Sequence, residues 1–203
     1  MSAHVSFREV DPSDAAMILS WRRTPRVTDL MHTDVGDDVE AQATWLASCF
    51  EKPHYYHWVF SIGGTEAGLL SIADFDLDSG TSSWGYYMGE GSLLGFGALV
   101  PPYLYNWLFR TVGLHKVEVE VFASNEQVLR MHKYHGYSRV PEKDRAILKS
   151  GQEIQLCALE LDARDWLPQD RMQRFVTAFP TRRWMAGPLM LTKTGDASRG
   201  VEP

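Results

Sequence analysis

Cysteine is scarce in this chain of 203 residues, which contains Cys49 and Cys157 and no others. Two distant cysteines without metal-type spacing exclude a disulfide-stapled scaffold, and we expect both to be reduced thiols. The sequence also lacks an apolar run long enough to cross a membrane, and no apolar signal core is present near its start. We therefore expect a cytoplasmic protein without a membrane partner.

An excess of positive charge is absent as well, because 20 Lys and Arg stand against 26 Asp and Glu, for a net charge of −6. General nucleic-acid binders usually need an excess of cations facing the phosphates, so this class is excluded. A local basic pocket for one phosphorylated ligand remains compatible with the composition. Internal repeats and low-complexity linkers are also missing, and the length fits one domain.

The hydrophobic pattern predicts, in chain order, a strand, two helices, three strands, a helix, a strand, a helix and two strands. Gly63-Gly64-Thr65 predicts a tight hairpin, and Pro101 is expected to open a regular helix. Residues 165–178 are predicted to form a C-terminal helix, and the tail from Gly195 is expected to fray. The order indicates a mixed α/β (α+β) fold, with helices flanking a mixed, mostly antiparallel sheet.

Residues 84–99, with the sequence W-G-Y-Y-M-G-E-G-S-L-L-G-F-G-A-L, are the most informative stretch. Alternating aromatic residues predict a strand, which is followed by a glycine-rich turn at 89–97 and the start of a helix. Such a turn can bind an anion, because glycine allows close approach and free N–H groups point out of a helix start. A nucleotide-containing cofactor would suit this site. The alternative is an ordinary strand-to-helix loop.

Two local motifs then point to a family. The first is Ser92-Leu93-Leu94-Gly95-Phe96-Gly97, which matches the pyrophosphate loop (Gln/Arg)-x-x-Gly-x-(Gly/Ala) of the GNAT superfamily of acyl-CoA-dependent N-acetyltransferases. The second is Asn125-x-x-Val128-x-x-Met131-His132-x-x-x-Gly136-Tyr137, which resembles the family segment one strand later. The resemblance implies a GNAT-like domain over residues 1–162, with residues 163–203 forming a C-terminal helix and a partly flexible tail rather than a separate domain. It also implies acetyl-CoA as cofactor.

Within the superfamily, the chain most resembles the pseudaminic-acid pathway enzymes, which acetylate the 4-amino group of a UDP-linked amino sugar. The residues behind this are Trp21-Arg22, Lys116–Phe122 and Met131-His132-Lys133. The resemblance thus implies a small-molecule amine acceptor. Ribosomal-protein and polyamine acetyltransferases are the alternative, since their strand-and-loop pattern is similar to residues 85–90. An inactive CoA-binding regulatory module is a further alternative, and a homodimer is an open option.

The resemblance assigns the cofactor contacts to two neighbouring segments. The end of the strand would pair with the pantetheine amides at Tyr87, Met88 and Gly89. The loop amides would hold the pyrophosphate at Leu93, Leu94, Gly95, Phe96, Gly97 and Ala98. Ser92 departs from the usual Arg or Gln, which removes one cationic or amide contact. Asn125 would bond the pantetheine arm, or it would simply cap the following helix.

Two residues are candidates for proton transfer. His132 stands where most relatives carry a tyrosine that protonates the leaving thiolate, and the alternative is a partly buried structural histidine. Glu120 is the candidate general base, acting directly or through water. Strand alternation puts Glu118 and Glu120 on one face, so an ordinary solvated face is the alternative.

An acceptor pocket is predicted from aromatic and cationic residues near these segments, namely Trp21, Arg22, Trp84 and Tyr86. Aromatic rings can stack on a uracil base, and an arginine can bind its diphosphate. Each aromatic residue is equally compatible with the core. No metal site is predicted, because His54 and His57 would point to opposite faces of a strand.

Overall fold

The computed structural model describes residues 4–181. The strands are β1 (Val5–Glu9), β2 (Tyr56–Ile62), β3 (Thr65–Asp76), β4 (Thr81–Met88), β5 (Lys116–Phe122), β6 (Ser138–Arg139), β7 (Arg145–Lys149) and β8 (Gln152–Asp162). The α-helices are α1 (Ala15–Arg22), α2 (Pro25–Thr28), α3 (Val39–Cys49), α4 (Pro101–Asn106), α5 (Glu126–His135) and α6 (Ala163–Trp166). A 3-10 helix, Gly91–Leu99, links β4 to α4, and α4 continues as a π-helix over Trp107–Val112.

The strands form one eight-stranded sheet in the order β1-β2-β3-β4-β5-β8-β6, with β7 also paired to β8. All pairs are antiparallel except β4 with β5, which is parallel. The predicted mixed, mostly antiparallel α/β fold is therefore confirmed. The predicted hairpin is also present, since Gly63 and Gly64 join β2 to β3 with φ values of 60° and 87°, which favour glycine.

The parallel pair β4–β5 separates part of the way along its length. The two strands are paired only at Thr81–Lys116, Ser82–Val117 and Ser83–Glu118. Beyond this point, β4 stays paired with β3 as far as Met88, and β5 stays paired with β8 as far as Phe122. The facing edges of β4 and β5 are therefore unpaired over their C-terminal halves. We call this opening the strand split.

Two hydrophobic clusters cover the faces of the sheet. The larger one is rich in aromatic residues and includes Trp58, Phe60, Trp84, Tyr105 and Trp166. The smaller one lies under α1 and α3 and includes Ile18, Trp21, Leu46, Val59 and Leu69. Val59 and Leu69 come from apolar strands that are buried on both faces, as expected for central strands covered by helices on each side.

The predicted C-terminal helix at residues 165–178 is wrong. The observed helix α6 ends at Trp166, and between it and residue 181 only one 3-10 turn, Asp170–Met172, is present. Pro168 lacks an amide hydrogen and restricts the residue before it, so the helix stops there.

The chain after Pro168 instead packs into the larger cluster. Asn106 holds this segment by donating from Nδ2 to the carbonyls of Met172 and Phe175, at 2.8 and 2.9 Å. Phe175 and Phe179 are themselves members of the cluster. The segment up to residue 181 is therefore part of the core, and the predicted flexible tail lies outside the described residues.

Candidate active site

The predicted pyrophosphate loop is wound as the 3-10 helix Gly91–Leu99, and α4 begins at Pro101 as the sequence predicts. The Glu90 carboxylate caps its start by accepting hydrogen bonds from the amide and the hydroxyl of Ser92, at 2.9 and 2.8 Å. These bonds lower the pKa of Glu90. Leu94 and Phe96 are exposed, whereas Gly97 is buried against Met88. The loop therefore presents apolar side chains and glycine backbone to its surroundings.

Glycine is required where β4 meets this loop. A Cβ atom on Gly89 would lie 2.1 Å from Cδ2 of Trp21, so the indole packs directly on the backbone. The amide of Gly89 donates to the carbonyl of Ala67 at 2.8 Å, and its carbonyl accepts a hydrogen bond from Nη2 of Arg26. The amide and the carbonyl of Gly89 are therefore both hydrogen-bonded to protein groups, and the Trp21 indole packs against the end of β4.

Arg26 is a residue that the sequence did not single out. It is exposed on α2, and its Nη1 atom lies 3.5 Å from where a Cβ on Gly91 would be. The Arg26 guanidinium therefore lies beside the loop in which Ser92 replaces the usual Arg or Gln. No motif marks it, because α2 and the loop are distant in sequence.

Tyr86, on β4 at the strand split, contacts both segments that the sequence predicts to bind the cofactor. Its hydroxyl lies 3.2 Å from the carbonyl of Gly97 and 3.5 Å from Sδ of Met131 on α5. Burial raises the pKa of this phenol, so it stays protonated at neutral pH. At the start of α5, the Asn125 side chain accepts from the amide of Val128 at 3.4 Å, which is the predicted helix cap.

His132 is buried, with 2% of its surface exposed. Its ring packs edge-on against Trp84 and Tyr137, with centroid distances of 5.8 and 4.6 Å. The Trp84 indole donates to the Tyr137 hydroxyl at 2.8 Å, which fixes this cluster. Burial, with a smaller contribution from His135, lowers the pKa of His132 to about 3. The imidazole is therefore neutral at physiological pH.

A cavity of about 1140 Å³ opens on the sheet beside the strand split. We call it the central cavity. Its wall combines residues of α1, α3, the loop 30–35 and strands β2, β3, β4, β5 and β8. Of the predicted site residues, it brings together Arg22, Trp84, Tyr86, Tyr87 and Glu120. Trp21, Asn125 and His132 are not among the residues that line it.

The carboxylates on the β5–β8 side of the central cavity are paired with cations. Both oxygens of Glu120 accept from Arg145 at 2.6 Å. Lys143 bridges Glu118 and Glu160, at 2.9 and 2.6 Å. The candidate base thus lies on the cavity wall within an ion pair. The predicted alternation of Glu118 and Glu120 on one face holds, because both face the cavity.

The α1–α3 side of the central cavity contains functional candidates that the sequence analysis missed, namely Gln42, Lys52 and His57. His57 interrupts the otherwise apolar run Y-H-W-V-F, which is the one sequence signal available. Its ring lies 4.5 Å from that of Tyr55 and 5.5 Å from that of Trp45. Burial, followed by the charges of Lys52 and Arg22, lowers the pKa of His57 to about 3.

Residues 4–181 contain neither a cluster of metal-ligating side chains nor a membrane-spanning helix. No group of three or more His, Cys, Asp or Glu in this range could hold a metal ion. In the same range, no helix is long and apolar enough to cross a membrane.

Comparison with solved structures shows a shared fold at low sequence identity. Spermidine N-acetyltransferase from Vibrio cholerae, in complex with CoA and spermine, superposes with a TM-score of 0.69 at 10% identity, over 80% of this chain and 98% of that one. A dodecameric form of the Vibrio cholerae enzyme in an intermediate state gives 0.65 at 11% identity, over 81% and 97%. A probable acetyltransferase gives 0.69 at 16% identity, over 80% and 95%.

Comparison with protein families identifies the chain more directly. A search of curated protein sequences gives no significant match. The family model described as acetyltransferase (GNAT) domain matches residues 4–138, which contain the strand split, the loop and α5. The chain therefore belongs to the GNAT acetyltransferase family and is an N-acetyltransferase that uses acetyl-CoA.

Proposed function

We propose that this enzyme acetylates a primary amine of a small molecule, and that the acceptor is a nucleotide-linked amino sugar carrying the amine at its 4-position, such as a UDP-linked sugar. The observation that carries the proposal is the charge arrangement of the central cavity. Glu118, Glu120 and Glu160 are already paired with cations. Arg22 and Lys52 form no ion pair within residues 4–181. An acceptor that carries negative charge fits such a wall better than a polycation does.

The described residues also fit acetyl-CoA. The strand split leaves backbone N–H and C=O groups unpaired on β4 and β5, which suits the amide groups of an extended pantetheine arm. A Cβ on Gly95 would meet nothing within 4 Å, so open space adjoins the loop. Arg26 supplies the cation next to it. When bound, acetyl-CoA provides the thioester that makes the acetyl group transferable.

The chain's own residues would act around that thioester as follows. Glu120, on the cavity wall, would accept a proton from the acceptor amine. His132 is neutral, so it could support the departing thiolate by donating a hydrogen bond from the ring nitrogen that carries hydrogen. Tyr86 would hold the loop and α5 at their observed separation. These roles remain predictions.

A polyamine is the second candidate acceptor. The solved neighbours named for spermidine acetylation favour it, and five carboxylates line the central cavity, namely Asp34, Asp74, Glu118, Glu120 and Glu160. Four of these carboxylates have a cationic partner, which weighs against a polyamine, because an acidic groove for a polycation should present free carboxylates. The fifth, Asp74, accepts a hydrogen bond from Ser83. The predicted homodimer also stays open, since the Vibrio cholerae neighbour assembles into a dodecamer.

Thiol release from acetyl-CoA tests the acceptor directly. The purified protein should be assayed with a UDP-4-amino sugar, with spermidine and with a peptide that has a free N-terminus. We expect the highest kcat/KM with the UDP-linked sugar. A higher kcat/KM with spermidine or with the peptide would overturn the proposal, and release with none of them would favour the inactive module.

A further inference from the structure

Four residues that line the central cavity each carry a buried polar side-chain atom that has no hydrogen-bond partner within residues 4–181. These atoms are Nε of Arg22, Nε2 of Gln42, Nδ1 of His57 and the hydroxyl of Tyr87. Gln42 and His57 are only 8% and 2% exposed. A buried polar atom without a partner costs about 1–3 kcal/mol. We therefore expect a ligand to supply the missing hydrogen bonds of these four atoms, which come from four different elements around one cavity.

The remaining partnerless atoms described within residues 4–181 are distributed differently. They belong to Tyr105, His132, His135 and Gln173, none of which lines the central cavity. Three of those residues pack in an aromatic cluster with Trp166 or Trp84. The cavity group is thus a distinct set, defined by Arg22, Gln42, His57 and Tyr87. We call it the donor cluster.

The chemistry of the donor cluster selects its ligand. The Nε of Arg22 and the Nε2 of Gln42 can only donate hydrogen bonds. Burial raises the pKa of Tyr87, so its hydroxyl keeps its proton and can donate as well. His57 is neutral and can donate from one ring nitrogen. A ligand that satisfies this set must present acceptor oxygens.

Two cations in or beside the donor cluster indicate that the ligand is also negatively charged. The Arg22 guanidinium is anchored by its Nη2, which donates to the carbonyl and the hydroxyl of Thr33 at 3.1 and 3.0 Å. Lys52 lies over the rings of Trp45 and Tyr55, at 5.6 and 5.7 Å. These two cations have no carboxylate partner among the described residues, so an anionic oxygen group is favoured over a neutral one.

We propose that the donor cluster is a subsite for an anionic oxygen group, a carboxylate or a phosphate, of the amine acceptor. This inference rests on the proposed acetylation of a small-molecule amine and adds which residues would bind the acid group of the acceptor. The amine would lie toward the strand split, and the acid group would lie between α1, α3 and β4. A simple polyamine has no group for this subsite.

Calorimetric titration tests the subsite without any acetyl transfer. The probes are UDP, inorganic pyrophosphate, glutarate and spermidine, each added to the full chain in a phosphate-free buffer. We expect at least one anion to bind and spermidine to bind at least tenfold more weakly. UDP or pyrophosphate ahead of glutarate would identify a phosphate group, and the reverse order would identify a carboxylate.

Two variants remove single donors. Gln42→Leu and Tyr87→Phe keep the side-chain volume similar, and each is expected to weaken anion binding at least tenfold. Because each removes a partnerless buried polar atom, the melting temperature should stay the same or rise. Tyr134→Phe, which removes an exposed hydroxyl on α5, is the matched control and should bind as the unmodified protein does.

The inference is overturned if no anion binds, if both variants bind anions as tightly as the unmodified protein, or if spermidine binds most tightly. Its failure can be told from that of the proposed function, because the titration needs no turnover. Anion binding that depends on Gln42 and Tyr87 would stand even if no amine were acetylated. Acetylation of a polyamine with no anion binding would defeat the subsite alone.

Discussion

Arg145 binds both carboxylate oxygens of Glu120, with its Nε and Nη2 each donating at 2.6 Å. A carboxylate held in this way is fixed in orientation, but its lone pairs are partly occupied. Glu118, two residues earlier on β5, is paired with Lys143 through a single contact of 2.9 Å. The two acids of one strand face therefore differ in how firmly they are held, and this difference supplies a matched test.

If Glu120 is the general base, Glu120→Gln should lower kcat by about 100-fold with little change in KM for acetyl-CoA, because base catalysis contributes roughly 10²–10⁴. Glu118→Gln is the control and should change kcat by less than threefold. Steady-state thiol release measures both. Equal and small losses would mean that the Glu120–Arg145 pair is structural.

His132 should matter for turnover more than for cofactor affinity. Replacement by alanine would leave a cavity between Trp84 and Tyr137 and cost about 2–5 kcal/mol of stability, so phenylalanine is the better test. We expect His132→Phe to lower kcat about 100-fold and to leave KM for acetyl-CoA within twofold. His135→Phe, a second buried histidine on the same helix, is the control. A similar loss in both variants would indicate packing rather than catalysis.

The buried histidines predict acid lability. Burial lowers the pKa of His57 and of His132 to about 3, whereas in the unfolded chain each is about 6.5. The unfolded state therefore binds more protons between these values, so stability is complete above pH 6.5 and falls as the pH drops toward 3. At pH 5, each histidine should cost about 2 kcal/mol.

Urea unfolding at pH 7.5 and 5.0 measures this difference. His57→Phe and His132→Phe should each reduce the pH dependence of the unfolding free energy. His4→Gln, which replaces an exposed histidine, is the control variant. An unchanged slope in both phenylalanine variants would mean that these imidazoles do not resist protonation in the folded protein.

Gly95 offers a test of the cofactor loop, because the fold itself does not require glycine there. A Cβ on Gly95 would meet nothing within 4 Å, and its φ is not positive. Gly95→Val should therefore leave the melting temperature unchanged but raise KM for acetyl-CoA at least tenfold, since the added methyl groups would occupy the space of the pyrophosphate. Gly36→Val, at a second unobstructed glycine, should alter neither quantity.

The elements that the sequence predicted correctly are those with local signals. The Gly63-Gly64 turn, the alternation of β5 and the cap of α5 at Asn125 each depend on neighbours within a few residues. The helix at residues 165–178 failed because contacts with Asn106, about 66 residues away, hold that segment in an irregular path.

The candidate site was predicted only where it follows a motif. The strand end, the loop, Asn125 and Arg22 were named as candidates from the sequence, whereas Arg26, Gln42 and the donor role of His57 were not. Arg22, Gln42, His57 and Tyr87 stand on separate elements and meet only because the sheet and two helices surround one cavity. The sequence predicted Glu120 as a base but not its ion pair with Arg145. This pair joins β5 and β7, which are not adjacent in the sheet, so no local pattern indicates it.

The strand split has a consequence for the protein without its cofactor. Most sheets expose free backbone groups only at their outer strands, where a second chain can pair with them. Here, the C-terminal halves of β4 and β5 form two such edges in the middle of the sheet. If the pantetheine arm pairs with these edges as proposed, bound acetyl-CoA would protect the enzyme against aggregation, because it would cover backbone that could otherwise pair with another polypeptide.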